Sequence, residues 1–82
     1  MPKFIYVYIL RSQIRPVTFY TGLTTDLRAR LRQHNSGGGR HTSRFLPWKI
    51  KTAIAFTDCA RARAFEVYLK SASGRAFAEK RL

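Results

Sequence analysis

Apolar residues fill "KFIYVYIL" (3–10) on both alternating faces, with Phe4, Tyr6, Tyr8 and Leu10 on one side and Ile5, Val7 and Ile9 on the other. That pattern predicts a central strand covered twice. "RSQIRP" reads as a loop closed by Pro16, and "VTFYTGL" (17–23), rich in β-branched and aromatic residues, pairs with the first strand as a hairpin that Gly22 ends. Thr24, Thr25 and Asp26 offer N-cap oxygens and an acid for a first turn, and Leu27, Ala29 and Leu31 carry a helix over 25–35 until "NSGGG" stops it. A basic loop, "GGGRHTSRFLP", leads to "WKIKTAIAF", where Trp48, Ile50, Ile54 and Phe56 alternate with Lys49, Lys51 and Ala53 as in an outer, one-faced strand. Thr57 and Asp58 cap a second helix through Lys70 with Ala64, Phe65, Tyr68, Leu69 and Ala72 as its buried stripe. "SASG" interrupts, and "RAFAEKRL" forms a last short helix whose Phe77 docks inward. The order is ββαβαα, an α+β domain with a small, three-stranded, mostly antiparallel sheet flanked by helices.

Composition narrows this picture. The 82 residues suit one domain over 1–82, near the lower size at which a single core suffices, and 45% hydrophobic content with eleven aromatics outweighs the disordering effect of a +12 net charge. One cysteine, Cys59, excludes an internal disulfide framework and, with two histidines, a zinc cluster. A reducing, cytoplasmic setting fits best. The apolar start lacks a small-residue cleavage site and reads as a strand, and no stretch approaches the ~20 apolar residues that span a bilayer. Sixteen Lys and Arg against four acids draw polyanions, so nucleic acid is the leading partner; a membrane surface is excluded because the apolar faces are needed for the core.

So few acids in so basic a chain make each one informative. Asp26 and Asp58 stand at helix caps and Glu79 near the C-terminal end, which leaves Glu66 alone in the middle of a basic helix. Glu66 reads either as half of an i, i+4 ion pair with Lys70 or as a carboxylate holding Mg²⁺ with water and a substrate phosphate. Arg30 and His34, one turn apart, share the edge of the Leu27 and Leu31 stripe. On residue type alone Arg30 reads first as one of many solvated cations, and His34 as a helix C-terminal residue pairing with the dipole. Tyr6, Tyr8 and Tyr20 suit cross-strand core pairs, and Gly22 either a tight passage or a close phosphate approach.

Taken in order, "VYIL", then "YTG", an arginine eight residues beyond that glycine, a histidine one turn later and a helical glutamate resemble the GIY-YIG nuclease family. The resemblance covers nearly the whole chain and is closest to small stand-alone bacterial members, in which "YVYIL", "HN" and "KS.SGRAF" recur. It implies a three-stranded sheet with flanking helices and a metal-dependent endonuclease that hydrolyses DNA phosphodiester bonds by structure rather than sequence. Matched residue by residue, Tyr8 is the first motif's tyrosine, with Tyr6 in place of its glycine; Tyr20 and Gly22 belong to the second, with Thr21 in place of isoleucine. The resemblance further implies that Tyr8 or Tyr20, helped by His34, positions or deprotonates water, that Arg30 grips the phosphate, and that Mg²⁺ or Mn²⁺ on Glu66 stabilises the leaving group. An asparagine near the C-terminal end of many members has no counterpart in "GRAFAEKRL".

A tyrosine with its ordinary pKa near 10 is a poor base, so the expectation is that neighbouring cations or the metal lower it. Arg40, His41, Arg44, Lys49, Lys51, Lys70 and Arg75, with Arg61, Arg63, Lys80 and Arg81, are the candidate phosphate contacts. The competing readings are a non-catalytic nucleic-acid-binding module and a domain whose cutting is recruited by a protein partner.

Overall fold

The structure is a computed structural model and describes residues 3–37 and 42–82. Strand β1 (Ile5–Ser12) runs between β2 (Phe19–Thr24) and β3 (Trp48–Phe56), antiparallel to both, in the order β2-β1-β3. Helix α1 (Leu27–Asn35) follows β2, a single 3₁₀ turn (Thr42–Phe45) precedes β3, and α2 (Cys59–Leu69) and α3 (Ala72–Arg81) close the chain. The α+β, ββαβαα architecture expected from the patterning is therefore the one found.

The double alternation of β1 gives the molecule two cores, one on each side of a single strand. Val7 and Ile9 meet Ala62 and Leu69 of α2, with Phe56, Phe65, Ala78 and Leu82 packed around them. Tyr8 and Leu10 point the other way, to Trp48 and, around it, Leu27 and Leu31 of α1, Phe45, Leu46 and Ile50. Thus α1 covers one face, and α2 with α3 covers the other. Each helix starts where a side-chain oxygen meets its free amides: Asp26 accepts from Ala29 N at 3.0 Å, Asp58 from Arg61 N at 3.1 Å and Ser71 from Gly74 N at 3.1 Å.

Four local expectations need correction. The loop after β1 starts later than predicted, because Ser12 is buried in the strand, where its Oγ donates to Phe45 O at 2.7 Å and accepts from Arg15 N. The third strand is not one-faced. Ile9 stands opposite Thr52 and Leu10 opposite Ile50, so Lys51 is an extra residue and the strand changes parity there. Trp48 and Ile50 consequently face α1, while Ile54 and Phe56 share the face of Val7 and Ile5.

Helix α2 is turned about one residue from the predicted stripe: Ala62, Phe65, Glu66 and Leu69 face the protein, whereas Ala64, Tyr68 and Ala72 are exposed. Phe77 does not enter the core either. It stays on the flank with Phe65 and Tyr68, ring centroids 6.3 and 6.0 Å away, while Gly74, Ala78 and Leu82 make the inward contacts of α3. The α2–α3 junction has room for no more than a glycine: a Cβ on Gly74 would lie 1.8 Å from the Tyr68 carbonyl oxygen.

Candidate active site

The site begins with a missing side chain. Gly22 faces Tyr8 across the β1–β2 ladder, and a Cβ there would lie 2.5 Å from the Tyr8 hydroxyl and 2.7 Å from its Cζ. The Tyr8 ring therefore lies across the glycine, and its hydroxyl is carried over β2, an edge strand. Tyr20, two residues earlier on the same face of β2, puts its ring centroid 6.2 Å from that of Tyr8. Gly22 does not end the strand, which pairs with β1 as far as Thr24; its role is this close approach.

Helix α1 brings the nitrogen groups. The buried His34 ring lies 4.7 Å from the Tyr20 ring, and its Nε2 is 3.1 Å from the Tyr8 hydroxyl. Arg30, one turn earlier, lies near enough to the same hydroxyl to favour its ionised form. The neutral imidazole carries one N–H: with it on Nδ1, facing Thr42 Oγ1 at 3.3 Å, Nε2 is the acceptor for the Tyr8 hydroxyl.

The imidazole's position depends on residues the sequence reading did not single out. Asn35 donates from Nδ2 to Trp48 O at 3.0 Å and accepts from Trp48 N at 2.6 Å, which fastens the end of α1 to the start of β3. Trp48 Nε1 in turn donates to Thr42 O at 2.8 Å. The only sequence signal was the asparagine directly after His34, at the end of the helix; the contacts themselves are tertiary.

Glu66 approaches from the opposite face, on α2. Its side chain is 13% exposed, so it is not the surface residue of the plain ion-pair reading, yet the pair with Lys70 exists, at 2.5 Å. Its carboxylate lies close enough to Tyr8 to disfavour ionisation of the phenol. The two faces are thus electrostatically linked through the sheet's Tyr8. Among the described residues there is no cluster of three or more His, Cys, Asp or Glu side chains. A single hard carboxylate suits Mg²⁺ or Mn²⁺ completed by water and phosphate, and does not suit a softer metal that needs a protein-built cage.

The electrostatics overturn one expectation. Tyr8 is not lowered by the surrounding cations: burial, then the neighbouring Tyr20, push its pKa up to about 12, against the opposing pull of Arg30 and with a further rise from Glu66. Tyr8 is 1% exposed, so loss of solvation outweighs one guanidinium. Burial, and secondarily Arg30, hold His34 below the usual imidazole value. At neutral pH the resting pair is a neutral phenol donating to a neutral imidazole.

The other cations are spread out. Lys51 and Arg75 line a groove on the α2–α3 face, Lys49 pairs with Arg11 beside it, and Lys70 and Arg75 line a hollow next to Tyr20. Arg44 is exposed on the 3₁₀ turn, and Arg61, Arg63, Lys80 and Arg81 are exposed on the helices. Arg40 and His41 lie outside the described residues.

One face of the small antiparallel sheet thus carries two tyrosines beside an arginine and a histidine, with a carboxylate on α2 acting electrostatically on Tyr8. The sequence model of the GIY-YIG catalytic domain matches residues 4–80, and the chain belongs to the GIY-YIG family, a nuclease family whose substrate class is nucleic acid. It is 36% identical over 72 residues to a UPF0213 protein of Streptococcus agalactiae, covering 87% of this chain and 80% of that one. A UPF0213 protein of Streptococcus pneumoniae is 41% identical over 66 residues, with 79% and 65% covered. The structure-specific endonuclease subunit SLX1 of Scheffersomyces stipitis is 45% identical over 60 residues, 66% of this chain but only 18% of that protein. The chain therefore spans less than a fifth of that fungal relative. No helix among the described residues is long and apolar enough to cross a membrane.

Proposed function

We propose that the protein is a metal-dependent endonuclease that hydrolyses DNA phosphodiester bonds and selects its cut by DNA structure rather than base sequence. The observation that supports this reading is convergence: the Tyr8, Tyr20 and His34 side chains lie together, and Arg30 and Glu66 both act electrostatically on the Tyr8 hydroxyl. Hydrolysis requires an activated water, neutralisation of charge at phosphorus and stabilisation of the departing oxygen. With its pKa near 12, Tyr8 is not a phenolate at neutral pH. It acts as a relay: its oxygen takes the proton of the attacking water as its own proton passes to His34 Nε2, so charge collects on the imidazole and not on the buried phenol. Arg30 binds a non-bridging phosphate oxygen. Glu66 would hold Mg²⁺ or Mn²⁺, which when bound supplies neutralisation at the leaving oxygen.

Structure selection is supported by the many exposed cations, which suit phosphate contacts without base reading, and by the likeness to SLX1, named a structure-specific endonuclease subunit. That name also says "subunit", which favours a second reading in which cutting awaits a protein partner. The unmatched C-terminal asparagine favours a third, a binding module without catalysis. A single exposed cysteine suits the cytoplasm. The test is incubation of the purified protein with Mg²⁺ or Mn²⁺ at low salt and a panel of flapped, branched and duplex DNAs. Branched substrates are nicked, and Arg30→Ala or Glu66→Gln abolishes nicking while leaving the circular dichroism spectrum intact. No cutting of any substrate by wild type, alone or with cell extract, would refute the proposal in favour of the binding module.

A further inference from the structure

On the face opposite His34, the end of the hairpin carries an aromatic ring that the core does not use. Phe19 is 48% exposed and lies on edge strand β2, with Val17 exposed next to it. Two cations attend the ring: Lys51 Nζ is 5.3 Å and Arg11 Cζ 5.9 Å from its centroid. Lys51 owes its place to the β3 bulge, so the irregular strand is what brings this amine over the ring. Phe19, Arg11 and Lys51 line a groove of about 580 Å³ whose other side is Leu69, Arg75 and Ala78, with Glu79 as the one acid. A second hollow of about 520 Å³ shares Phe19, Leu69 and Arg75 and adds Tyr20 and Lys70, the ion-pair partner of Glu66. The two form one cationic track from the candidate active site, around the β2 edge, to the exposed ring.

We propose that Phe19 is a stacking platform for an unpaired base on the strand that flanks the scissile phosphate, with Lys70, Arg75, Arg11 and Lys51 following that strand's backbone. The inference rests on the nuclease reading and extends it to the substrate: a single-stranded tail or flap adjoining a duplex. An exposed aromatic side chain within a cationic groove is the combination by which proteins hold single strands. A base inside a duplex is already stacked on both sides and has no free π-face for the ring, so the platform discriminates by pairing. Phenylalanine has no hydrogen-bonding group, so it does so without choosing among bases.

The test is fluorescence anisotropy on full-length protein carrying Glu66→Gln, which prevents cutting, with a labelled duplex bearing a single-stranded tail and the same duplex made blunt. Phe19→Leu, which keeps apolar bulk but removes the π-face, should weaken binding of the tailed DNA by about fivefold or more and leave the blunt duplex unchanged. Phe19→Tyr should retain tailed binding, and Lys51→Ala should weaken the tailed DNA and flatten its salt dependence while leaving the blunt duplex unchanged. An equal effect of Phe19→Leu on the two DNAs, or none on either, overturns the proposal. The nuclease reading fails separately: a wild type that never cuts refutes it whatever Phe19 does, and a wild type that cuts with no tail-selective effect of Phe19→Leu refutes only the platform.

Discussion

Adding one methyl group at Gly22 tests the core of the site. An alanine Cβ would lie 2.5 Å from the Tyr8 hydroxyl, 2.7 Å from Cζ and 3.0 Å from Cε1, where ordinary contacts are about 3.5–4.0 Å. Gly22 does not adopt a positive φ, so alanine is strained by the tyrosine and not by its own backbone. The ring must withdraw by about 1 Å, which breaks its 3.1 Å hydrogen bond to His34 in a buried setting. Overpacking costs about 1–3 kcal/mol, and an unsatisfied buried partner about 1–3 more. Reduced freedom of the unfolded chain returns about 0.4–1. Gly22→Ala should thus lose roughly 2–4 kcal/mol in urea unfolding followed by circular dichroism, together with its cleavage activity. In the Gly22→Ala/Tyr8→Phe double variant the 2.5 Å contact disappears, so its loss should fall short of the sum of the singles by about 1 kcal/mol or more. A Gly22→Ala protein of wild-type stability, or strict additivity with Tyr8→Phe, would refute the geometry.

Further expectations follow from the same coordinates. Gly74→Ala sets a Cβ 1.8 Å from a backbone carbonyl that has no rotamer to escape into, so it should destabilise by about 3 kcal/mol or more in the same assay, and a mild effect would show that α3 is free to shift. The unfolded Tyr8 phenol ionises near pH 10 and the folded one near 12, so stability is full below pH 10 and is lost as pH rises toward 12; the loss reaches about 2–3 kcal/mol, and Tyr8→Phe should remove this slope from an alkaline titration of stability. His34 is held below the ordinary imidazole value of about 6.5, so the single-turnover cutting rate should stay level through neutrality and fall only at more acid pH; a midpoint above that value would exclude the neutral imidazole as proton acceptor.

Patterning along the chain made most of the fold legible, because β1 states its two buried faces in strict alternation and the first two helices begin at the oxygen-bearing caps Asp26 and Asp58, whereas α3 starts at Ala72 behind a Ser71 cap within the stretch that reads as an interruption. What escaped was set by neighbours distant in sequence. The β3 bulge at Lys51 leaves the even-numbered apolar positions intact while sending them to opposite faces, so periodicity alone reads as a one-faced strand. The rotation of α2 sets Glu66 inward and exposes Tyr68, a choice made by packing against the sheet and α3. The proximity of Tyr8, Tyr20 and His34 was legible through motif order, whereas the electrostatics were not: counting cations suggested an acidified tyrosine, and burial of Tyr8 gives the reverse. Likewise the Asn35, Trp48 and Thr42 connections that hold His34 leave only an asparagine next to a histidine as their trace.

The central claim is that Tyr8 on one side of the sheet and Glu66 on a helix packed against the other serve a single phosphate. Single-turnover cleavage of a flapped DNA by Tyr8→Phe, Glu66→Gln and the double variant measures this directly. Groups that act as one unit give a double variant no slower than the worse single. Two independent losses that multiply in the double variant would contradict a common site.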